Sequence, residues 1–317
     1  MTNFRPNQGI DFLRVGRDQE LVNKFPKYAG ELDSFSTRDF LGTRSLHKYV
    51  PDYSIERLHY PNSRPNLRRL LRLRQGKIPH EIPRNEEYFE WLDLLESVLS
   101  ANYGFTFIEV GAGFGRWAAR AYKAAELAGI PFGQIRICTI EPEPRHSIWL
   151  REHMKLNKIP FSSLCHHECA VSNYEGTAEF FVGRPKSDLD LSLEAKNWYG
   201  QALKYSGWEG AQTIQVPVRR LSSILDSIKV DQIDLINFDI QGEEPRALQD
   251  IRSHIQRIKR IHIGTMSRSD ESFFREYFDD LGWIKIRDYE GQGTRNTYIG
   301  KISFVDGVQT WLNPLHL

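Results

Sequence analysis

The stretch Glu109-Val110-Gly111-Ala112-Gly113-Phe114-Gly115 constrains this chain more than any other. It follows the apolar run Phe105-Thr106-Phe107-Ile108 and leads into a helix-like run from Arg116 to Leu127. A strand that breaks into closely spaced glycines and then enters a helix is how α/β proteins approach an adenosine-containing cofactor. The glycines turn tightly and admit the backbone close to the ligand, and the helix N-terminus offers free N–H donors. The next apolar run, 135–140, ends on an acid, Glu141, 26 positions after Gly115. That is where a doubly wound sheet places a ribose-binding carboxylate. The pattern predicts a nucleoside-cofactor site.

Bulk properties narrow the remaining classes. A length of 317 residues suits one large domain, or one domain with a sizeable appendage. The net charge of +1 gives no global attraction to nucleic acid or to acidic membranes. No apolar run approaches the ~20 residues that a membrane-spanning helix needs. The sequence Met1-Thr2-Asn3-Phe4-Arg5-Pro6 lacks the charged and apolar regions of a signal peptide, and three cysteines do not build a disulfide framework. A cytoplasmic setting is the expectation.

Residues 1–84, rich in Arg, Asn, Pro and Tyr, read as an N-terminal extension of short helices and loops packed on a main domain of residues 85–317. Asn85 is the expected N-cap of a helix whose apolar positions Tyr88, Trp91, Leu92, Leu95, Val98 and Leu99 share one face. Strands are expected at 105–110, 135–141, 164–171, 177–182, 213–219, 233–239, 257–264, 283–289 and 296–305. Helices are expected near 115–128, 145–157, 221–228, 243–252 and 269–281, the last with Ser269 as N-cap and Gly282 past its end. The alternation argues for an α/β fold with a mostly parallel, seven-stranded sheet covered on both faces. Asp306-Gly307 reads as the turn of an antiparallel hairpin at one sheet edge. Residues 183–212, carrying Trp198, Tyr199, Tyr205 and Trp208, read as an insertion suited to a substrate lid. Arg64, Arg68, Arg69, Arg72, Arg74 and Lys77 form a basic run, a solvated face in the bland reading and a phosphate dock in the sharper one.

Four blocks in order carry a family resemblance: EVGAGFG at 109–115, IEPEP at 140–144, AVSNYEG at 170–176 and LINFDIQGEEPRAL at 235–248. With these the chain resembles the FkbM-type methyltransferases, a branch of the Rossmann-like class I enzymes that use S-adenosylmethionine. The resemblance covers roughly residues 100–265. Two positions depart from the family pattern: Gly113 stands where Asn is common, and Asn237 where Lys is common, so no role of that Lys is carried over.

The resemblance implies S-adenosyl-L-methionine as cofactor and a hydroxyl oxygen of a sugar, glycan or other secondary metabolite as acceptor. Gly111, Gly113 and Gly115 would admit the cofactor, Glu109 would orient the loop or receive the ammonium group, and Glu141 would accept both ribose hydroxyls. Cys169 and Ala170, at a strand end, would lie against the adenine, with Glu168 near its amino group. Asp239 closes a central strand and is the first candidate for a base or hydroxyl orienter and for a cofactor contact; Glu243 is second and His262 third. The cluster Cys165-His166-His167-Glu168-Cys169 tempts as a metal site. Neighbours on a strand point to opposite faces, however, so no metal is expected. Rival readings are an NAD(P)-dependent oxidoreductase, for which no Tyr-x-x-x-Lys pair is found near the expected place, and a non-catalytic binding module that keeps the fold. A nucleic-acid methyltransferase fits poorly, because Asn237-Phe238-Asp239-Ile240 is a weak match to the aromatic-bearing catalytic tetrapeptide. Nucleic acid is not an expected partner. The oligomeric state is open, a homodimer among the options.

Overall fold

The computed structural model describes residues 11–31, 36–46, 49, 81–182 and 212–317. The basic run 64–77 and all but the last residue of the aromatic insertion expected over 183–212 lie outside them.

Seven strands form the central sheet: β3 (Phe105–Val110), β4 (Ile135–Ile140), β5 (Leu164–His167), β9 (Leu235–Phe238), β10 (Arg260–Thr265), β11 (Ile284–Tyr289) and β14 (Gly307–Leu312). Their spatial order is β11-β14-β10-β9-β3-β4-β5. The pairs from β10 to β5 are parallel, while β14 runs antiparallel to both β10 and β11. Short pairs stand beside the sheet: β1 (Ser36–Arg38) with β2 (Arg44–Leu46), and β12 (Gly293–Thr297) with β13 (Gly300–Phe304). A three-stranded sheet joins β6 (Ala170–Ser172), β8 (Gln212–Arg220) and β7 (Gly176–Val182). The helices are α1 (Phe12–Asn23), α2 (Glu87–Leu99), α3 (Arg116–Leu127), α4 (Pro144–Leu156), α5 (Leu221–Ser227), α6 (Glu244–Asp250) and α7 (Arg268–Asp280).

Strand parity sets the two cores. Every residue of β3 is buried, as a strand covered on both faces requires. Phe105 and Phe107 of β3 and Ile135 and Ile137 of β4 pack with the apolar faces of α2, α3 and α4. Ile108, Val110, Cys138, Ile140, Ile236, Phe238, Ile261 and Ile263 point the other way, toward α5, α6 and α7. On this alternation Glu109, Asn237 and His262 all belong to the α2–α3 side. Described residues of the N-terminal stretch join that core: Val22, Phe25, Phe40 and Leu41 are buried there, and Phe40 meets Trp91 at 5.0 Å between ring centroids.

Several expected boundaries move for identifiable reasons. The strand expected over 164–171 is two strands. The His167 carbonyl accepts the Glu141 N–H at 3.0 Å, which is the last tie to the main sheet, and the chain then leaves to pair β6 with β8. The strand expected over 296–305 falls within the β12–β13 hairpin. The expected antiparallel pair at one edge is β11 with β14, and that hairpin sits in their connection. Asp306-Gly307 therefore turns between two different sheets rather than within one hairpin. Ser267, not Ser269, caps α7, its Oγ accepting the Asp270 N–H at 3.1 Å. α2 begins after Glu86 with no side-chain cap, so Asn85 does not serve as one. Gly282 follows α7 at φ 68°, as its position implies.

Candidate active site

The chain passes from β3 outward to β4 and β5, then crosses back to β9 and β10 on the other side of β3. Loops leaving β3 and β9 part in opposite directions there. In open α/β sheets this switch point, at the carboxyl ends of the strands, is where a ligand crevice opens. The glycine loop leaves β3 and Asp239 leaves β9 at that point.

Gly111 adopts φ 86°, and a Cβ built on it would stand 2.0 Å from the Asp239 carbonyl oxygen. Only glycine lets the two strand ends approach so closely. Gly115, at φ 74°, is the N-cap of α3, and a Cβ there would strike Met154 Cε at 2.6 Å. Gly113, at φ 53°, differs: nothing lies within 4 Å of its would-be Cβ. That open cradle of backbone is the feature a close-lying cofactor requires.

Glu109 is buried and its carboxylate accepts the Trp117 N–H at 3.3 Å and the Ala118 N–H at 2.8 Å. It thus satisfies two orphan donors of the first turn of α3. Burial pushes its carboxyl up to about 8 against those hydrogen bonds. Glu141, 2% exposed, accepts the Gly113 N–H at 2.7 Å through Oε2 and the Glu143 N–H at 3.0 Å through Oε1. It ties the glycine loop to the start of α4, where Glu143 in turn caps the His146 N–H at 2.7 Å. Cys169 and Ala170 are buried between the end of β5 and β6, and burial pushes the Cys169 thiol up to about 12.

Asp239 keeps solvent contact at the crevice floor, yet desolvation by the surrounding walls raises its carboxyl above the usual value. The Gln241 amide, donating to Oδ1 at 2.8 Å, and the charges of Arg116 and His262 offset part of that shift. Across the crevice, α2 presents Glu90, which accepts from Asn237 Nδ2 at 2.6 Å. Burial first, then Glu87 and Asp239, push the Glu90 carboxyl well up, partly countered by Arg116 and by the Asn237 hydrogen bond. Arg116 pairs with Glu87 at 2.9 Å.

The other two candidates go elsewhere. Glu243 faces β6 and α6: Ser172 Oγ donates to it at 3.0 Å and Arg246 at 2.7 Å. Its neighbour Glu244 shapes the crevice loop, Oε1 accepting the Ile240 N–H at 2.7 Å and Oε2 the Gly242 N–H at 2.8 Å. Between those amides Gln241 takes φ 59° and Gly242 φ 105°. Burial drives the Glu244 carboxyl to about 8. His262 Nδ1 pairs with Asp93 Oδ2 at 2.8 Å inside a buried ionic cluster. Asp93 also receives Arg260 at 2.7 Å, Arg287, and Thr310 Oγ1 at 2.5 Å. Burial works against its ionisation, but Arg287, His262 and Arg260 hold the Asp93 carboxyl well below the usual carboxylate range. Glu96, bonded to both arginines, completes the group.

The structure therefore gathers Glu109, the three glycines, Glu141 and Asp239 around the switch point. Sequence reasoning missed Glu90 and Glu244. The motif FDIQGEE held the signal for Glu244, since its two glutamates, Glu243 and Glu244, compete for one loop; nothing local marked Glu90.

The profile of a family described as the methyltransferase FkbM domain matches residues 109–289. A provisionally named methyltransferase of Jannaschia sp. (strain CCS1) is 27% identical over 237 residues, 71% of this chain and 78% of that protein. The crystal structure of methyltransferase FkbM from Methylobacillus flagellatus KT is 15% identical at a TM-score of 0.41, covering 96% of this chain. The chain spans 60% of the length of that solved protein. An O-methyltransferase from Bacillus cereus, solved with S-adenosylhomocysteine, is 13% identical at a TM-score of 0.37, over 74% of this chain and 83% of that one.

Proposed function

Because this chain belongs to the FkbM methyltransferase family, we propose that it uses S-adenosylmethionine to methylate a hydroxyl oxygen of a sugar, glycan or other secondary metabolite. The observation that carries the reading is Asp239, an accessible carboxylate of raised pKa at the switch point, against the open backbone of the glycine loop. The cofactor supplies an electrophilic methyl group on a sulfonium.

The chain's own residues do the rest. Gly113 leaves room for the ligand beside the loop, and Glu141 receives the ribose hydroxyls, which compete there with the Gly113 N–H. Cys169 and Ala170 line the adenine side, and Glu109 holds α3 and its loop in place. Asp239 orients the acceptor hydroxyl and takes its proton as the new O–C bond forms and the S–C bond breaks. In-line displacement depends chiefly on alignment, so Asp239 and the loop contribute by positioning as much as by proton transfer. Glu90, its carboxyl pushed well up chiefly by burial, accepts from Asn237 Nδ2 and flanks Asp239 across the crevice.

Calorimetric titration with S-adenosylhomocysteine tests the reading, with Glu141→Ala and Asp239→Asn variants and an NADPH control. Micromolar binding lost in Glu141→Ala and kept in Asp239→Asn is expected, with methylation of screened hydroxyl acceptors lost in Asp239→Asn. Absence of binding by folded protein overturns it, and NADPH binding in its place points to an oxidoreductase.

A further inference from the structure

We propose that Cys138, Cys165 and His167 form a zinc-binding site that clamps the edge strand β5 to β4. The donor atoms of these three side chains lie within 4.8 Å of one another. Cys165 Sγ and His167 Nε2 are 3.2 Å apart.

The fold builds this group in two ways that no linear spacing displays. The parallel register of β4 and β5 sets Cys138 directly opposite Cys165. The two-residue period of a strand then puts His167 on the same face as Cys165, while His166 turns to the other side and meets Thr139 Oγ1 at 2.9 Å and Ser147 Oγ at 2.9 Å. The expectation against a metal considered only donors within one strand. The third donor comes from the neighbouring strand, and Cys169 is not part of the group.

The chemistry suits zinc. Two thiolates and an imidazole are soft and borderline donors, which favour zinc over the hard, oxygen-seeking ions. Zinc–sulfur bonds of about 2.3 Å and zinc–nitrogen bonds of about 2.0–2.1 Å need donors roughly 3.3–3.8 Å apart in a tetrahedron, so the three atoms reach it with small side-chain shifts. Zinc displaces the Cys138 and Cys165 protons to solvent as it binds, and the two thiolates neutralise the ion's two charges. Cys165 is exposed, which leaves the fourth position to water. Binding through Nε2 keeps the imidazole proton on Nδ1 and gives up the long 3.5 Å contact from Arg219 to that atom.

The clamp's position gives it a use. The His167 carbonyl holds the Glu141 N–H, so fixing the end of β5 fixes the strand end that presents Glu141.

The full chain, purified in a non-chelating phosphine reductant and dialysed against zinc, is assayed for bound metal; cobalt(II) serves as a spectroscopic probe. One zinc per chain is expected, with a thiolate-to-cobalt charge-transfer band on substitution. Cys165→Ser and His167→Gln alter exposed and half-buried positions, and each is expected to lose at least tenfold in zinc affinity. A retained thermal transition reports that the variants are folded. Cys169→Ser is expected to keep the metal. Failure of the wild-type chain to retain zinc, equal retention by all variants, or loss in Cys169→Ser overturns the assignment. A Cys138–Cys165 disulfide found by intact mass in place of metal overturns it too.

Discussion

An added methyl group meets opposite surroundings at Gly111 and Gly113, two residues apart in one loop. At Gly111 the left-handed φ costs an L-residue about 1–2 kcal/mol. The new Cβ also falls 2.0 Å from the Asp239 carbonyl oxygen, which is backbone and cannot swing aside. Overpacking of that kind costs about 1–3 kcal/mol, so Gly111→Ala should lose about 2–5 kcal/mol in all. Unfolding entropy of about 2.1 cal/mol/K per residue makes 1 kcal/mol worth roughly 1.5 °C in a chain this long, a fall of about 3–8 °C. Gly113→Ala carries only the conformational cost of about 1–2 kcal/mol, since nothing lies within 4 Å of its Cβ, and should melt within about 3 °C of wild type. Its effect should appear in ligand binding. The space it fills is the cradle, and a loss of about 1.4 kcal/mol weakens S-adenosylhomocysteine tenfold. Thermal denaturation and calorimetry on the two variants read both quantities. Wild-type melting of Gly111→Ala refutes the close approach of the strand ends as a constraint, and wild-type binding by Gly113→Ala refutes the cradle.

Glu244→Ala strands the amides of Ile240 and Gly242, and at about 1–3 kcal/mol for each donor left unsatisfied, urea denaturation should show stability lower by about 2–6 kcal/mol. An unchanged midpoint would count against the loop being held by that carboxylate. Glu109 has a folded-state pKa raised to about 8 above its ordinary 4.5, so its contribution to stability is whole below 4.5 and fades as pH rises through about 8. Stability curves between those limits should fall less steeply for Glu109→Gln than for wild type; Glu244, raised likewise, keeps part of the slope. Asp93→Asn leaves Arg260 and Arg287 without their shared buried counter-charge and should cost about 3–5 kcal/mol by chemical denaturation. His262→Ala, if the histidine acts within this cluster, should leave S-adenosylhomocysteine affinity within a factor of about two.

What could be seen in the linear sequence follows the range of the forces involved. The glycine loop and Glu141 were legible because glycine at positive φ and an acid at a strand end leave local signatures. Ser269 and Ser267 are both good caps two residues apart, and sequence alone does not choose between them. Glu243 and Glu244 posed the same ambiguity, resolved only by which carboxylate reaches the amides of Ile240 and Gly242. The partner that holds His262 is Asp93, 169 positions away, which no local pattern names. The donor group of Cys138, Cys165 and His167 depends on strand register, which no pattern along one segment encodes.

The acids of α2 fall at Glu87, Glu90, Asp93 and Glu96, one every three residues on a helix that repeats every 3.6. Such a stripe winds backward by about 60° at each step, so successive carboxylates address successive neighbours. Glu87 meets Arg116 of α3, Glu90 meets Asn237 of β9, Asp93 meets His262 of β10 and Thr310 of β14, and Glu96 meets Arg287 of β11. One helix thus indexes four strands and a second helix by phase alone. A single residue inserted between Glu90 and Asp93 would swing the last two acids about 100° off their cations while leaving the first two engaged.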